Sequence, residues 1–234
     1  IHVQQRGSDH QVSAVLTDFG NTYLCGAVVI RAGTFLRGSM IAGDWRAAGG
    51  RAGDTADRSL AMSIGDVGIK LRRLKTGTPP RIDARSISFG ETDIERGSEA
   101  PLWFSRDGRH GRVDRLELPP LSLYPGQTIG WRTQLPCYLV HTNLAGHQII
   151  RDNAARSPMF NGAIQGSGPR YCPSIEDKVM RFAHKASHGL FLEPEGWRTT
   201  EVYVQGANTS LPQDVQLAFL RTIPNIPRPE VAHG

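Results

Sequence analysis

The sequence predicts an α/β chain, and three observations carry that prediction. Val12, Ala14 and Leu16 alternate in the manner of a strand, Leu60, Ile64 and Val67 recur at helical spacing, and a capped helical face begins at Ser174. Between them, from about residue 76, prolines break every period, which reads as short strands and loops inserted into an α/β frame.

In chain order, Val12, Ala14 and Leu16 alternate and Gly20-Asn21 supplies a turn, so residues 10–30 read as a β-hairpin. The hairpin feeds a buried strand at Ala27-Val-Val-Ile30. The turn Gly33-Thr-Phe-Leu-Arg-Gly38 follows, where an α/β sheet opens its ligand crevice. Gly49-Gly-Arg-Ala-Gly-Asp54 then precedes a helix carrying Leu60, Ile64 and Val67, which stops near Gly65–Gly68. Thr76-Gly-Thr-Pro-Pro-Arg81 cannot be helical, and Trp103, Phe104, Tyr124 and Trp131 are expected to form a small core in the irregular stretch. Ser174 with Asp177 three residues later makes a capping-box pattern, and Ile175, Val179, Phe182 and Ala183 mark the apolar face of its helix. A last helix begins near Ser210-Leu-Pro-Gln213, with Leu211, Val215, Ala218 and Phe219 inward.

Composition narrows the class. The chain has 234 residues, 39% hydrophobic and 21% charged, too apolar for disorder. Its longest apolar run, Leu24–Ile30, is far short of a membrane span, and no signal-peptide pattern opens it. Cys25, Cys137 and Cys172 are odd in number and form no CxxC pair, so a reducing compartment, the cytoplasm, is expected. Ile rather than Met stands first and the last residues form no cap, from which we expect a piece of a longer protein.

The usual fingerprints GxGxxG, GxxxxGK[ST], HExxH and GxSxG are absent, and no metal-ligand set is spaced for use; His141 and His147 read as structural. Cys172 precedes the N-cap Ser174 by two residues, beside Arg170, a placement that favours thiolate. The other reading is a small cysteine filling a tight turn. Basic residues gather at Lys70, Arg72, Arg73, Lys75, Arg81 and Arg85, and again at Arg151, Arg156, Arg170, Lys178, Arg181 and Lys185. With a net charge of +5, these clusters suit cofactor phosphates or an RNA backbone, or else form a solvated face.

Longer strings are more specific. Gly33-Thr-Phe-Leu36, Gly49–Asp54, Arg73-Leu-Lys-Thr-Gly-Thr-Pro-Pro-Arg-Ile-Asp-Ala-Arg85, Pro136-Cys-Tyr138, His141-Thr-Asn143, Arg156-Ser-Pro-Met159, Gly168–Phe182, Phe191-Leu-Glu-Pro-Glu-Gly196 and Thr209-Ser-Leu-Pro212 occur in this order. Together they resemble the MnmG/GidA family of flavoenzymes that modify the wobble uridine of tRNA, from about residue 12 to about residue 222. The resemblance implies part of a Rossmann-like FAD-binding domain (1–78), an inserted mixed α+β domain associated with NAD and tRNA (79–209), and a truncated return to the first domain (210–234). It implies FAD, NADH as reductant, methylenetetrahydrofolate as one-carbon donor, the GTPase MnmE as partner, and a homodimer.

By the same resemblance, Gly33, Thr34 and Arg51 lie against flavin, and Asp57 stands where the family often has a flavin-contacting Ser. The NAD segment is Gly168, Pro169, Arg170, Tyr171, Cys172, Pro173, Ser174, Ile175, Glu176, Asp177, Lys178, Val179, Met180, Arg181 and Phe182, with Cys172 the candidate for covalent attack on uracil. The family's FAD fingerprint would precede Ile1, and its later flavin segment and helical domain would follow Gly234. The alternative reading is therefore a non-catalytic truncated fragment that binds RNA or a partner.

Overall fold

Alternation near the start produces an antiparallel ladder. Strand β1 (His2–Arg6) pairs with β2 (Asp9–Leu16), and β2 pairs with β3 (Thr22–Leu24) through Ala14–Leu24, Val15–Tyr23 and Leu16–Thr22. Gly20 in the intervening turn takes φ +82°, a conformation that side chains with a Cβ rarely adopt. The computed structural model describes residues 2–6, 9–112, 121–126, 131, 133–164, 168, 173–229 and 231–233. The chain forms two compact units, one of residues 1–41, 45–76 and 165–169, the other of residues 42–44, 77–164 and 170–234.

In the first unit, helix α1 (Ser59–Asp66) buries Ile64 of the expected face together with Ala61, while Leu60 is half-buried and Val67, also half-buried, lies just beyond the helix end. Asp57 Oδ1 accepts a hydrogen bond from the Leu60 amide at 2.9 Å, satisfying one of the helix's free N–H groups. Gly68, at φ +86°, turns the chain away after the helix. The expected buried strand Ala27–Ile30 is not formed: these residues take no regular structure, and Val29 is 87% exposed. A β-branched run becomes a buried strand only where a partner strand and a covering layer meet it, and no described residue supplies either. Strands β4 (Ser39–Ala42) and β5 (Trp45–Ala48) make a separate two-stranded sheet.

The second unit is built on a six-stranded sheet. Its members are β6 (Arg81–Asp83), β7 (Asp93–Glu95), β8 (Cys137–His141), β9 (Gly189–Pro194), β10 (Glu201–Gln205) and β11 (Val231–His233), in the order β11-β6-β10-β9-β8-β7. Each of these ladders is antiparallel. Tyr138 faces Leu192, Val140 faces Leu190, Leu192 faces Val204 and Val202 faces Ile82 across neighbouring strands, and all of them are buried. Their alternates, such as Phe191, remain at the surface, the pattern of a sheet with one face covered. A short helix α2 (Arg106–Arg109) lies in the irregular stretch between β7 and β8. The buried face shares its core with Ile150 of α3 (Leu144–Asp152), Ile175 and Val179 of α4 (Ile175–Arg181), and Val215, Phe219 and Leu220 of α5 (Gln213–Leu220). Gly146 lets α3 approach α5 closely; a Cβ there would stand 2.6 Å from Thr222 Oγ1 and 3.1 Å from the Phe219 ring. The mixture of helices and sheets is that of an α/β chain.

Two buried tyrosines close the sheet. Tyr138 donates to the Pro125 carbonyl at 2.8 Å and Tyr124 to the Thr199 carbonyl at 2.7 Å, so both hydroxyls are satisfied where burial pushes their pKa values up. The expected aromatic core therefore divides. Tyr124 joins the main core, Trp103 and Trp131 pair edge-on at 5.2 Å, and Phe104 is fully exposed.

Asp83 ties β6 to the start of β10. Its carboxylate accepts from Arg85 Nη2 at 2.7 Å, Arg85 Nε at 2.9 Å, the Arg85 amide at 2.8 Å and Thr200 Oγ1 at 3.0 Å. Hydrogen bonding to the Arg85 side chain is the main cause that lowers its pKa to about 2. A lowered folded-state pKa gives stability that is present above the unfolded value and lost as pH falls through the folded one. Because Arg85 is largely exposed and screened, we expect Asp83→Asn to cost about 1–2 kcal/mol at pH 7. In urea unfolding series, the gap between the two proteins should shrink from pH ~4 towards pH ~2; a gap independent of pH would contradict this assignment.

Candidate functional site

Helix α4 is where the expected site and the fold meet. Ser174 adopts extended geometry and its Oγ accepts from the Asp177 amide at 3.1 Å, so the N-cap read from the sequence is present. Ile175 and Val179 are buried in the core, whereas the two other residues assigned to the apolar face, Phe182 and Ala183, are exposed. The helix ends at Arg181, so Phe182 and Ala183 lie beyond it and no longer follow its period. Met180 and Arg181 are exposed as well, with Arg181 Nε 2.8 Å from Asp177 Oδ1.

Glu176, the second residue of α4, is fully buried. Its Oε1 accepts from Thr209 Oγ1 at 2.9 Å, Ser157 Oγ at 3.2 Å and the Ser210 amide at 3.2 Å. Oε2 has no partner among the described residues. The Ile175 amide donates to the Asn208 carbonyl at 2.7 Å, so the segment before α5 holds α4 from two sides. Spacing could not have flagged this, because Glu176 reads as an ordinary first-turn acid.

Beside α4 lies an open pocket of about 290 Å³ lined by Pro173, Lys178, Phe182, Lys185, His188 and Gly189. Lys178 Nζ donates to the Gly206 carbonyl at 3.0 Å, and burial lowers its pKa. Lys185 Nζ stands 5.3 Å over the Phe182 ring. Behind the wall, His188 stacks at 5.2 Å on His147, whose Nε2 is 2.7 Å from Thr142 Oγ1. Burial is the main cause that lowers the pKa of both histidines, and His147 Nδ1 and His188 Nε2 are buried without partners among the described residues. His147 is thus structural, as expected; His188 was not singled out by the sequence reading.

Gly168 is half-buried, and Pro169, Arg170, Tyr171 and Cys172 lie outside the described residues. Cys25 and Cys137 are free and half-buried; Cys25 is not in a strand, and burial raises the Cys137 pKa.

The first unit presents the glycine-rich turns. Thr34 Oγ1 donates to the Gly50 carbonyl at 2.8 Å, and Gly38 packs so tightly that a Cβ would lie 2.4 Å from the Thr34 carbonyl oxygen and 2.5 Å from that of Gly49. Gly33 takes φ +54° on the outside of the turn, with a Cβ there meeting nothing closer than Phe35 at 3.8 Å. The Asp54 amide donates to the Arg51 carbonyl at 3.1 Å in a backbone bridge, while Asp57 is engaged at the start of α1.

The basic clusters are partly consumed within the fold. Arg81 pairs with Glu195, Arg85 with Asp83, Arg156 with Asp214 and Arg181 with Asp177. Arg73 donates to the Arg37 carbonyl at 2.6 Å, leaving Lys70, Arg72 and Lys185 as the more available cations. No group of His, Cys, Asp or Glu among the described residues could hold a metal ion, and no described helix is long and apolar enough to cross a membrane.

The fold and these sites define an α/β chain with close-packed glycine turns in one unit and a cationic pocket in the other. The family model described as "GIDA: Glucose inhibited division protein A" matches residues 2–233. The chain is 53% identical over 223 residues to a protein of Roseiflexus sp. (strain RS-1) named tRNA uridine 5-carboxymethylaminomethyl modification enzyme MnmG, covering 93% of this chain and 33% of that protein. A protein of the same name from Chloroflexus aurantiacus is 52% identical over 222 residues, covering 93% and 34%. The structure of Aquifex aeolicus GidA in a second crystal form superposes with a TM-score of 0.75 at 32% identity, covering 99% of this chain and 34% of that one. This chain belongs to the MnmG/GidA family, and it spans about a third of the length of the curated relatives it matches.

Removing the Glu176 carboxylate takes the acceptor from the buried Ser157 hydroxyl, the half-buried Thr209 hydroxyl and the Ser210 amide. We expect Glu176→Ala to cost about 2–4 kcal/mol in urea unfolding, with Glu176→Gln recovering part of the loss. An alanine variant within about 0.5 kcal/mol of the parent would contradict this role for Glu176.

Proposed function

We propose that the protein carrying this chain modifies the wobble uridine of tRNA, adding a 5-carboxymethylaminomethyl group in an FAD- and NADH-dependent reaction. The observation that carries the reading is the family match across residues 2–233, with relatives named as tRNA uridine-modifying enzymes. In this reading the protein is a cytoplasmic homodimer that works with the GTPase MnmE and takes its one-carbon unit from methylenetetrahydrofolate.

The residues present fit the cofactors the resemblance implies. The outward-facing Gly33 would let a flavin approach the backbone of the turn, with Thr34, Arg51 and Asp57 alongside. For NAD, the pocket offers Lys178 and Lys185 as cations and Phe182 as an aromatic face, a set that suits phosphate and an aromatic ring. The bound flavin and nicotinamide supply the redox chemistry. Of this chain's own residues, Lys178, steadied by the Gly206 carbonyl, would supply positive charge at the pocket, Ile175 and Val179 fix α4 on the core, and Glu176 fixes the segment before α5.

Cys172 is the proposed nucleophile. Its thiolate adds to C6 of the uracil ring, which places the electron pair at C5; once C5 has bonded the one-carbon unit, loss of the C5 proton re-forms the C5–C6 double bond and expels the thiolate. In the sequence, Cys172 stands two residues before the N-cap Ser174, a position that favours a reactive thiolate. A second reading, in which the isolated chain is a non-catalytic RNA- or partner-binding module, is favoured by the exposed Phe104 and its neighbouring arginines.

Two measurements check these readings. Cys172→Ser in the full-length protein should leave folding near normal and remove most tRNA modification, read by nucleoside mass spectrometry; full activity would overturn the catalytic role. The isolated chain should retain no stoichiometric flavin through gel filtration, and a visible flavin spectrum in the eluted protein would overturn the second reading.

A further inference from the structure

One surface is absorbed neither by the core nor by the sites above. Between Leu102 and Arg112 the sequence runs Leu-Trp-Phe-Ser-Arg-Asp-Gly-Arg-His-Gly-Arg, with three arginines and one histidine against a single acid, Asp107. Trp103 turns inward: it stacks edge-on against Trp131, and a Cβ on Gly108 would stand 2.5 Å from its ring. Trp131 Nε1 and Gln134 Nε2 both donate to the Ser98 carbonyl, at 3.0 and 2.8 Å, anchoring the wall against which Trp103 rests. Ser105 Oγ accepts from the Gly108 amide at 2.9 Å, and the Arg112 amide donates to the Asp107 carbonyl at 2.9 Å. The backbone that presents the next side chain is therefore held from both ends.

That side chain is Phe104, which is fully exposed, and Leu102 beside it is 67% exposed. Arg106, Arg109 and Arg112 are exposed too, and none has an ion-pair partner among the described residues. Arg106 and Arg109 stand three apart in α2 and so share a side. A single exposed apolar residue is ordinary. A rigidly presented aromatic ring in a segment of net positive charge is the combination that binds single-stranded nucleic acid, with bases stacking on the ring and guanidiniums meeting phosphates.

We propose that Phe104 is a stacking platform for an unpaired RNA base, with Arg106, Arg109 and Arg112 meeting the adjoining phosphates. The inference rests on the reading of the protein as tRNA-modifying and names where on this chain a single-stranded segment is gripped.

The test is fluorescence anisotropy of the full chain with a labelled oligouridine of about 12 nucleotides, within the ~4–16-nucleotide footprints of single-strand sites. A duplex RNA of equal length and phosphatidylserine vesicles serve as competitors. Phe104→Ala should weaken oligouridine binding about tenfold with its salt slope kept, and Phe104→Trp should restore it. Replacing Arg106, Arg109 and Arg112 together with Gln should flatten the log–log salt slope by about two. Thermal midpoints should not move, because every replaced side chain is exposed. The proposal is overturned if the chain binds no oligouridine, if Phe104→Ala binds as the parent does, or if duplex or vesicles compete better than single strand. Binding that ignores Phe104 would leave the tRNA reading standing. Phe104-dependent binding, with no tRNA modification by the intact protein, would instead overturn that reading and leave the platform.

Discussion

A buried carboxylate must find donors, and the second unit is arranged around that requirement. Glu176 sits with no solvent exposure in the first turn of α4, where N–H groups converge, and it draws Ser157, Thr209 and Ser210 onto one oxygen. These donors come from two separate stretches of chain, so their hydrogen bonds to one buried oxygen fix both relative to α4. With α4 fixed, Val179 and Ile175 join the core that the sheet shares with α3 and α5, and Lys178 lines the pocket. The polar bonds specify the arrangement and the apolar face supplies most of its burial.

Function resides in sites on this frame and not in the frame itself. Of the fifteen positions from Gly168 to Phe182, Ile175 and Val179 spend their side chains on packing, Ser174 on capping and Glu176 on joining segments. Lys178 and Phe182 line the pocket. The same distinction applies to the basic residues: Arg81, Arg85, Arg156 and Arg181 hold carboxylates of this chain, so a count of cations overstates the charge available to a polyanion.

Local signals were legible where one residue type has one physical use. Ser174 before an apolar period marked α4, Gly20-Asn21 marked the hairpin turn, and Leu60 with Ile64 marked α1. Helix α3 went unread, because His147 occupies its buried stripe and Gly146 is there to admit α5, not to form helix. Ala27–Ile30 and Phe104 are apolar yet not buried for a common reason: burial depends on what a fold brings against a residue, which apolar character alone does not specify. The Glu176 junction and the His147–His188 stack join residues that only the tertiary structure brings together, and no spacing rule contains them.

The most direct test of the central claim exchanges this chain for the matching third of a full-length relative. The chimera is expressed in a bacterium lacking its own enzyme, and wobble uridine in its tRNA is assayed by nucleoside mass spectrometry. The account predicts that the 5-carboxymethylaminomethyl nucleoside returns to near parental abundance. A folded, flavin-loaded chimera that leaves the wobble uridine unmodified would contradict it.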